Sequence, residues 1–473
     1  MNKKSFIAVL LIILTLSLIA CDKTPPEKNE EFLIILSGDI ESYYREIDLL
    51  KLQKRAFTYT DKEGTEVNTE GYRLDEVIDP AILLSDENYL MITASDGVSA
   101  RINFTDASLC YIIINDGKAD LKAPSHPPAA GIKDILDISV ISESEINQGL
   151  KIVKEDGHSV MSYGNVKSVL FEEVAQSTLK GVPVYKHMPK AVSVKEFTGE
   201  DENILYFHNY DIIVEGGGNL IWSGGRLAYK EDGKIYESLT GIVTGTDTLI
   251  LDAYYDIKQA VDSGERVMVI LPDGFSYGQA EHFNDQLTLF KSGYIKAASV
   301  NPAISNVALA AIVTGKSPRY TEITKRGVNR PASQDIFDYA VEKGKSVSYI
   351  EGNSNLILTN IIPEYNAPDS DGYTDGNVFQ SAMDELNNNP DFIFVHFHGI
   401  DDANHDYSPL SDQALDKILE IEQYTKTLME NFDGKIIIVP DHGSVTVQGD
   451  TLTGRHGVFE TGDMYVPYYV IAK

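Results

Sequence analysis

Three stretches of this chain are apolar at nearly every position, and each runs straight into acidic residues or histidines. Val267–Leu271 leads to Pro272-Asp273-Gly274. Phe392–Phe397 leads to His398-Gly399-Ile400-Asp401-Asp402-Ala403-Asn404-His405, and Lys435–Val439 to Pro440-Asp441-His442-Gly443. A strand with one wet face alternates apolar and polar residues. A run without alternation belongs in a sheet covered on both faces, the parallel sheet of α/β proteins. Ser346–Ile350 is a further run, and helix-like segments intervene, notably Asp412–Asn431. Residues 263–473 are therefore expected to form an α/β domain with a mainly parallel sheet. Ligands of such sheets bind at the carboxyl ends of the strands.

The rest of the 473-residue chain has a different texture. From Phe32 onward short β runs such as Phe32–Leu36, Tyr89–Thr93 and Ser99–Phe104 are separated by turns at Asp96-Gly97 and Asn115-Asp116-Gly117. After Gly149 the pattern continues, with Asp211–Val214 and Arg226–Tyr229 as strands and Glu215–Gly218 and Ser223–Gly225 as turns. The expected organisation is a β-rich domain at 32–148, a second β-rich domain or its continuation at 149–255, and the α/β domain.

The N-terminus carries Lys3 and Lys4, then an apolar run from Phe6 to Ile19 that is short for a permanent membrane span. It closes on Leu18-Ile19-Ala20-Cys21, which resembles the bacterial lipobox. The resemblance implies a signal peptide at 1–20, lipidation of Cys21 and a tether at 21–31, placing the protein on the extracytoplasmic face of the cell membrane. The other cysteine, Cys110, sits in an apolar run and is expected to be a buried thiol, so no internal disulfide is available. A formal net charge of −31 repels nucleic-acid backbone and argues against nucleic-acid binding. It leaves phosphate substrates open, because bound cations invert the local field.

Three strand ends thus deliver Asp and His to one sheet edge, and Gly454-Arg455-His456-Gly457 adds another His. An Asp at a strand end is often a helix cap, and a lone His is more often structural than a ligand. Several together at strand ends make a stronger case, since carboxylate and imidazole are ligand types for zinc and similar ions. Two such ions side by side stabilise both attacking and leaving oxygens in phosphoryl transfer. Ser305, in Asn301-Pro302-Ala303-Ile304-Ser305-Asn306-Val307, opens a predicted helix whose N-terminus favours a phosphate oxygen; a helix N-cap is the alternative role.

The order of motifs resembles the alkaline phosphatase superfamily, and within it the type I phosphodiesterase/nucleotide pyrophosphatase group. The carriers are Asp273-Gly274, Ser305 upstream of Val313-Thr314-Gly315, Asp401-x-x-x-His405, Asp441-His442-Gly443 and His456-Gly457. The resemblance implies that Asp401, His405 and His456 bind one divalent metal, and that Asp273, Ser305, Asp441 and His442 bind a second, with zinc the expected ion. It implies Ser305 as nucleophile of a phosphoric ester hydrolase acting on a small-molecule, lipid or polymer phosphate ester, with Asn306 donating to a phosphoryl oxygen. His396 and His398 share one strand face and are assigned to packing.

A sulfatase requires Cys or Ser followed by x-Pro-x-Arg, which Ser305-Asn306-Val307-Ala308-Leu309 lacks. Phosphomonoesterase, phosphonate hydrolase and phosphotransferase activities stay open, as does a non-catalytic surface-binding lipoprotein. In the first β-rich region, Gly71–Ile78 followed by Ala94-Ser95-Asp96-Gly97-Val98 resembles sulfite-oxidase-type molybdopterin domains. The molybdenum-ligating cysteine motif of those enzymes is absent, so the resemblance implies a binding or spacer module and no redox role.

Overall fold

A computed structural model describes residues 31–473 apart from 62, 128–129, 180–181, 200–202, 216, 448–452 and 473. Cys21 and the whole signal and tether region up to residue 30 lie outside the described residues.

The α/β region is built on a seven-stranded sheet. In chain order its strands are β1 (Val267–Pro272), β2 (Ile295–Ala298), β3 (Val347–Glu351), β4 (Glu364–Tyr365), β5 (Phe392–Phe397), β6 (Lys435–Ile438) and β7 (Tyr465–Ile471). Their spatial order is β2-β7-β6-β1-β5-β3-β4. The five strands from β6 to β4 are mutually parallel, and β7 lies between β6 and the edge strand β2, antiparallel to both.

Two separate apolar clusters explain why the central runs lack alternation. Val267, Val269 and Leu271 of β1 face one cluster with Ile257 and Val261 of α1 (Asp252–Ser263) and most of α2 (Ser305–Thr314). Met268 and Ile270 face the other, with Val378 of α3 (Asp375–Leu386), Ile400 of α4 (Gly399–Tyr407) and Ile418 and Leu428 of α5 (Asp412–Glu430). Every residue of β1 is buried because each side of the pleat has helices over it. Burying an aliphatic side chain is worth roughly 1.5–3 kcal/mol, so this double cover fixes the strand register and therefore where each strand ends.

The preceding region is strand-rich, as expected. A seven-stranded sheet runs Phe171–Leu179, Val182–Pro189, Val98–Asn103, Asn88–Ala94, Ile135–Ser142, Leu33–Gly38, Tyr44–Asp48. Strands from either side of residue 149 thus share one sheet. Cys110 is fully buried in its core, where burial pushes the thiol up to about 12. Among the described residues no helix is long and apolar enough to cross a membrane.

Candidate active site

Parallel pairing sets the levels of the residues at the sheet edge. Leu271 is paired with His396, and Ile350 with Val395, so Glu351 follows on the level of His396. Asp273 then emerges just beyond β1, and Asp441 and His442 just beyond β6. Gly274 takes the turn after Asp273 with φ +74°, and a Cβ there would lie 2.8 Å from the Asp401 Cβ. Glycine is required both by the backbone and by the close approach of α4. Gln279 and Asn404 bind each other at 2.8 Å, and Asn404 Nδ2 donates to Gly274 O at 3.0 Å, locking that approach. The amino end of α4 is held by Asp375, whose Oδ1 accepts from His398 N and Gly399 N.

This framework brings the expected ligands into two groups. Asp401, His405 and His456 place one ligand atom each within 4.8 Å of one another, and so do Asp273, Asp441 and His442. The histidines are oriented alike. Nδ1–H donates to a backbone carbonyl in each: Gly454 O for His405 (3.1 Å), Gly443 O for His442 (2.8 Å) and Ala303 O for His456 (3.1 Å). That fixes the tautomer and turns Nε2 inward, the arrangement in which a metal-binding imidazole is normally held. The inward atoms converge on carboxylates: His442 Nε2 is 3.4 Å from both Asp273 and Asp441, and His405 Nε2 is 3.4 Å from Asp401.

The carboxylates show what the donor set is suited to. Asp273 Oδ1, Asp401 Oδ1 and Asp441 Oδ2 are buried and have no hydrogen-bond partner. Orphaned carboxylate oxygens in a buried site are costly, and a shared divalent cation would satisfy them. Burial together with the charge of Asp273 raises the Asp441 carboxyl, and burial opposes charge on His442 while Asp441 and Asp273 lift its imidazole to about 9. Burial and the neighbouring His442 lower His456 to about 4, keeping a neutral, ligand-ready imidazole. The residues fit two divalent cations.

Ser305 is the first residue of α2, not its cap. Ile304 occupies the cap position, and the Ser305 Oγ lies 3.1 Å from His442 Nε2, at the mouth of the second group. Asn306 is placed differently from the sequence expectation. Its Nδ2 donates at 2.9 Å to both Lys325 O and Gly327 O, so both amide hydrogens are committed and none is left for a phosphoryl oxygen. These bonds clamp the residues flanking Arg326, whose guanidinium donates to His456 Nε2 at 3.1 Å.

His396 and His398 also depart from a packing role. His396 Nδ1 is 3.0 Å from Glu351 Oε2 and its Nε2 is 3.2 Å from Asp273 Oδ2. His398 bridges the same pair, with Nε2 on Glu351 and Nδ1 3.3 Å from Asp273. Burial opposes the Glu351 charge, yet the two imidazoles hold its carboxyl down at about 2. Neither Glu351 nor Arg326 stands out in the sequence. Glu351 carried one signal: it follows the run Ser346–Ile350 as Asp273 follows β1.

Residues 255–461 match the family model described as the BREX system PglZ alkaline phosphatase-like domain. No curated protein sequence matches the chain. Solved structures similar to it include murine ectonucleotide pyrophosphatase/phosphodiesterase 5, at 15% identity and TM-score 0.31, over 39% of this chain and 58% of that one. Phosphonoacetate hydrolase from Sinorhizobium meliloti 1021 in complex with phosphonoformate is similar at 14% identity and TM-score 0.33, over 48% of this chain and 62% of that one. The chain thus spans less than two thirds of the length of each.

Proposed function

With an alkaline phosphatase-like domain at residues 255–461 as the premise, we propose that this protein is a phosphoric ester hydrolase of the phosphodiesterase/nucleotide pyrophosphatase type, with Ser305 as its nucleophile. The observation that carries the reading is the Ser305 hydroxyl 3.1 Å from His442 Nε2, beside two groups of carboxylate and imidazole in which one oxygen of each of Asp273, Asp401 and Asp441 is buried without a hydrogen bond.

Asp401, His405 and His456 would hold one divalent cation and Asp273, Asp441 and His442, with Ser305, the other. Bound there, the cations, zinc by ligand type, supply acidification of the serine hydroxyl and neutralisation of phosphoryl charge. The chain does the positioning. The α2 amino terminus would direct N–H groups at the phosphoryl oxygens; the His456 Nε2 lone pair that now accepts from Arg326 would be taken up by a cation, which would leave the guanidinium, on its Asn306-clamped loop, for an anionic substrate. Ser305 Oγ forms a bond to phosphorus as the bond to the leaving oxygen breaks. The serine then carries the phosphoryl group with its remaining ester substituent, and water cleaves the serine–phosphorus linkage, releasing the phosphate monoester and restoring the hydroxyl.

The sequence of the first 21 residues supports a lipid anchor at Cys21 on the extracytoplasmic face; Cys21→Ala is expected to move the protein from the membrane to the soluble fraction, and unchanged membrane retention would refute the anchor. For activity, the test is metal content together with turnover of phosphate diesters, monoesters and phosphonates by wild type and Ser305→Ala. Diester turnover that falls by ~10³-fold or more in Ser305→Ala supports the reading. Full activity in that variant, or a metal-free inactive wild type, refutes it; a preference for monoesters or phosphonates shifts the substrate class alone.

A further inference from the structure

The strand-rich residues that follow Gly149 reach the catalytic edge. Their five-stranded sheet runs Gly157–Met161, Leu150–Lys154, Leu239–Val243, Ile204–His208, Asp211–Glu215. Val153, Phe207 and Val243 of this sheet share a buried apolar cluster with Ala303 and Phe459 of the α/β region. Both of those residues bear on His456. Ala303 supplies the carbonyl that accepts from His456 Nδ1 at 3.1 Å, and Phe459 follows His456 by three residues in the same turn.

Phe459 has an unfavourable backbone. Its φ is +55°, in the left-handed region that a bulky side chain rarely adopts. Such a residue persists only where its surroundings over-determine it, and such residues cluster at functional sites. Here the surroundings are one row of the sheet, in which Lys151 pairs with Gly241 and Gly241 with Phe207. Phe207 meets the Phe459 ring edge-on, with centres 5.0 Å apart and planes at 81°. Gly241 leaves the notch for that ring, since a Cβ there would lie 2.2 Å from Phe459 Cζ. A glycine inside a strand weakens it and marks a close approach of this kind. Lys151 Nζ donates to Val458 O, tying down the preceding residue. Within the turn itself, the Asp463 carboxylate accepts from Val458 N at 2.6 Å and Phe459 N at 3.2 Å. Nearer His456, a Cβ on Gly457 would lie 2.8 Å from Cγ2 of Ile304, the residue before Ser305.

We propose that Phe459 is a positioning residue for the cation site of Asp401, His405 and His456, and that the Gly241 notch of the strand-rich sheet fixes it there. The inference rests on the reading of His456 as a metal ligand. It makes this sheet a working part of the catalytic centre, because the turn that aims His456 is held from the sheet side by Lys151, Gly241 and Phe207.

The test uses the full-length protein loaded with zinc, following zinc content and the phases of its release to a chelator. Wild type is expected to hold two zinc ions, and the phase missing in His456→Ala identifies the ion that His456 binds. Phe459→Ala and Gly241→Ala are expected to weaken that ion about 10–100-fold, as for loss of an outer support of a metal ligand, and to leave the other ion as in wild type. Phe459→Leu, which keeps part of the apolar bulk, is expected to recover part of the loss. Circular dichroism identifies the folded variants, and Lys151→Met, which removes only the tie on Val458 O, stands in should the others fail to fold. Wild-type retention of both ions in the folded variants, with lowered melting temperature alone, overturns the inference while leaving the metal reading intact. Equal weakening of both ions overturns it as well, as general loosening. Identical zinc binding in wild type and His456→Ala overturns the metal reading and the inference with it.

Discussion

The buried Glu351 is the residue whose removal most sharply separates a positioned catalytic carboxylate from a merely crowded one. Its two oxygens serve four donors: His396 Nδ1 at 3.0 Å, the Tyr349 hydroxyl, His398 Nε2 and Gly352 N at 3.2 Å. Both imidazoles continue to Asp273 Oδ2, at 3.2 and 3.3 Å. Asp273 is therefore held from behind by two histidines that Glu351 orients. Glu351→Gln keeps the shape but replaces one acceptor oxygen with a donor and removes the charge. A hydrogen bond to a charged group is worth about 1.5–3 kcal/mol, and loss of an outer partner of a metal ligand costs about 10–100-fold in affinity or activity. The expected outcome is a 10–100-fold drop in diester turnover with a matching weakening of metal retention against a chelator. Glu385→Gln, at a carboxylate that serves Ser348 on the outer part of the same sheet, is the control and should change neither. Wild-type turnover and metal retention in folded Glu351→Gln would refute the reasoning that Asp273 is held through this network.

Three further outcomes follow from the same geometry. Asn306→Ala releases the loop around Arg326 and is expected to raise KM more than it lowers kcat, measured by steady-state kinetics; a pure kcat loss would place Asn306 on the reacting phosphoryl group instead. Glu422 accepts from the backbone N–H groups of Thr288, Leu289 and Phe290 at 2.6–2.8 Å, so Glu422→Ala is expected to destabilise the α/β domain by at least about 3 kcal/mol in urea unfolding. Burial opposes the Glu422 charge, but these donors bring its carboxyl below the ordinary value. Its stabilisation is thus present above pH ~4.3 and is lost as pH falls through the lower folded value; a wild-type advantage that grows on acidification would contradict this. Cys110, buried with its thiol pushed up to about 12, should react with a thiol reagent only on unfolding.

How much of this could be read from the chain depends on how local the signal was. The uniform runs of β1, β5 and β6 declared a doubly covered sheet because double burial removes alternation, and the Asp and His residues after them mark its carboxyl edge. What lies opposite a side chain across the sheet was not legible. Alternation put His396 and His398 on one face, but only the pairing of β3 with β5 brings Glu351 to meet them. Asn306 was adjacent to the serine and so was assigned to the substrate; its actual partners are 19 and 21 residues away. In the strand-rich region the pairing of Val182–Pro189 with Val98–Asn103 joins segments that no short pattern connects.

The central claim is that Ser305 becomes phosphorylated during turnover. Acid-quenching the zinc-loaded enzyme during hydrolysis of bis-p-nitrophenyl phosphate, then mapping the chain by mass spectrometry, tests it directly. A p-nitrophenyl phosphoryl adduct on the peptide containing Ser305, absent in Ser305→Ala, is the predicted result, because serine attack on this diester expels only one of its two p-nitrophenolates. Steady turnover with Ser305 unmodified at every quench time, and persisting in the Ala variant, would contradict it.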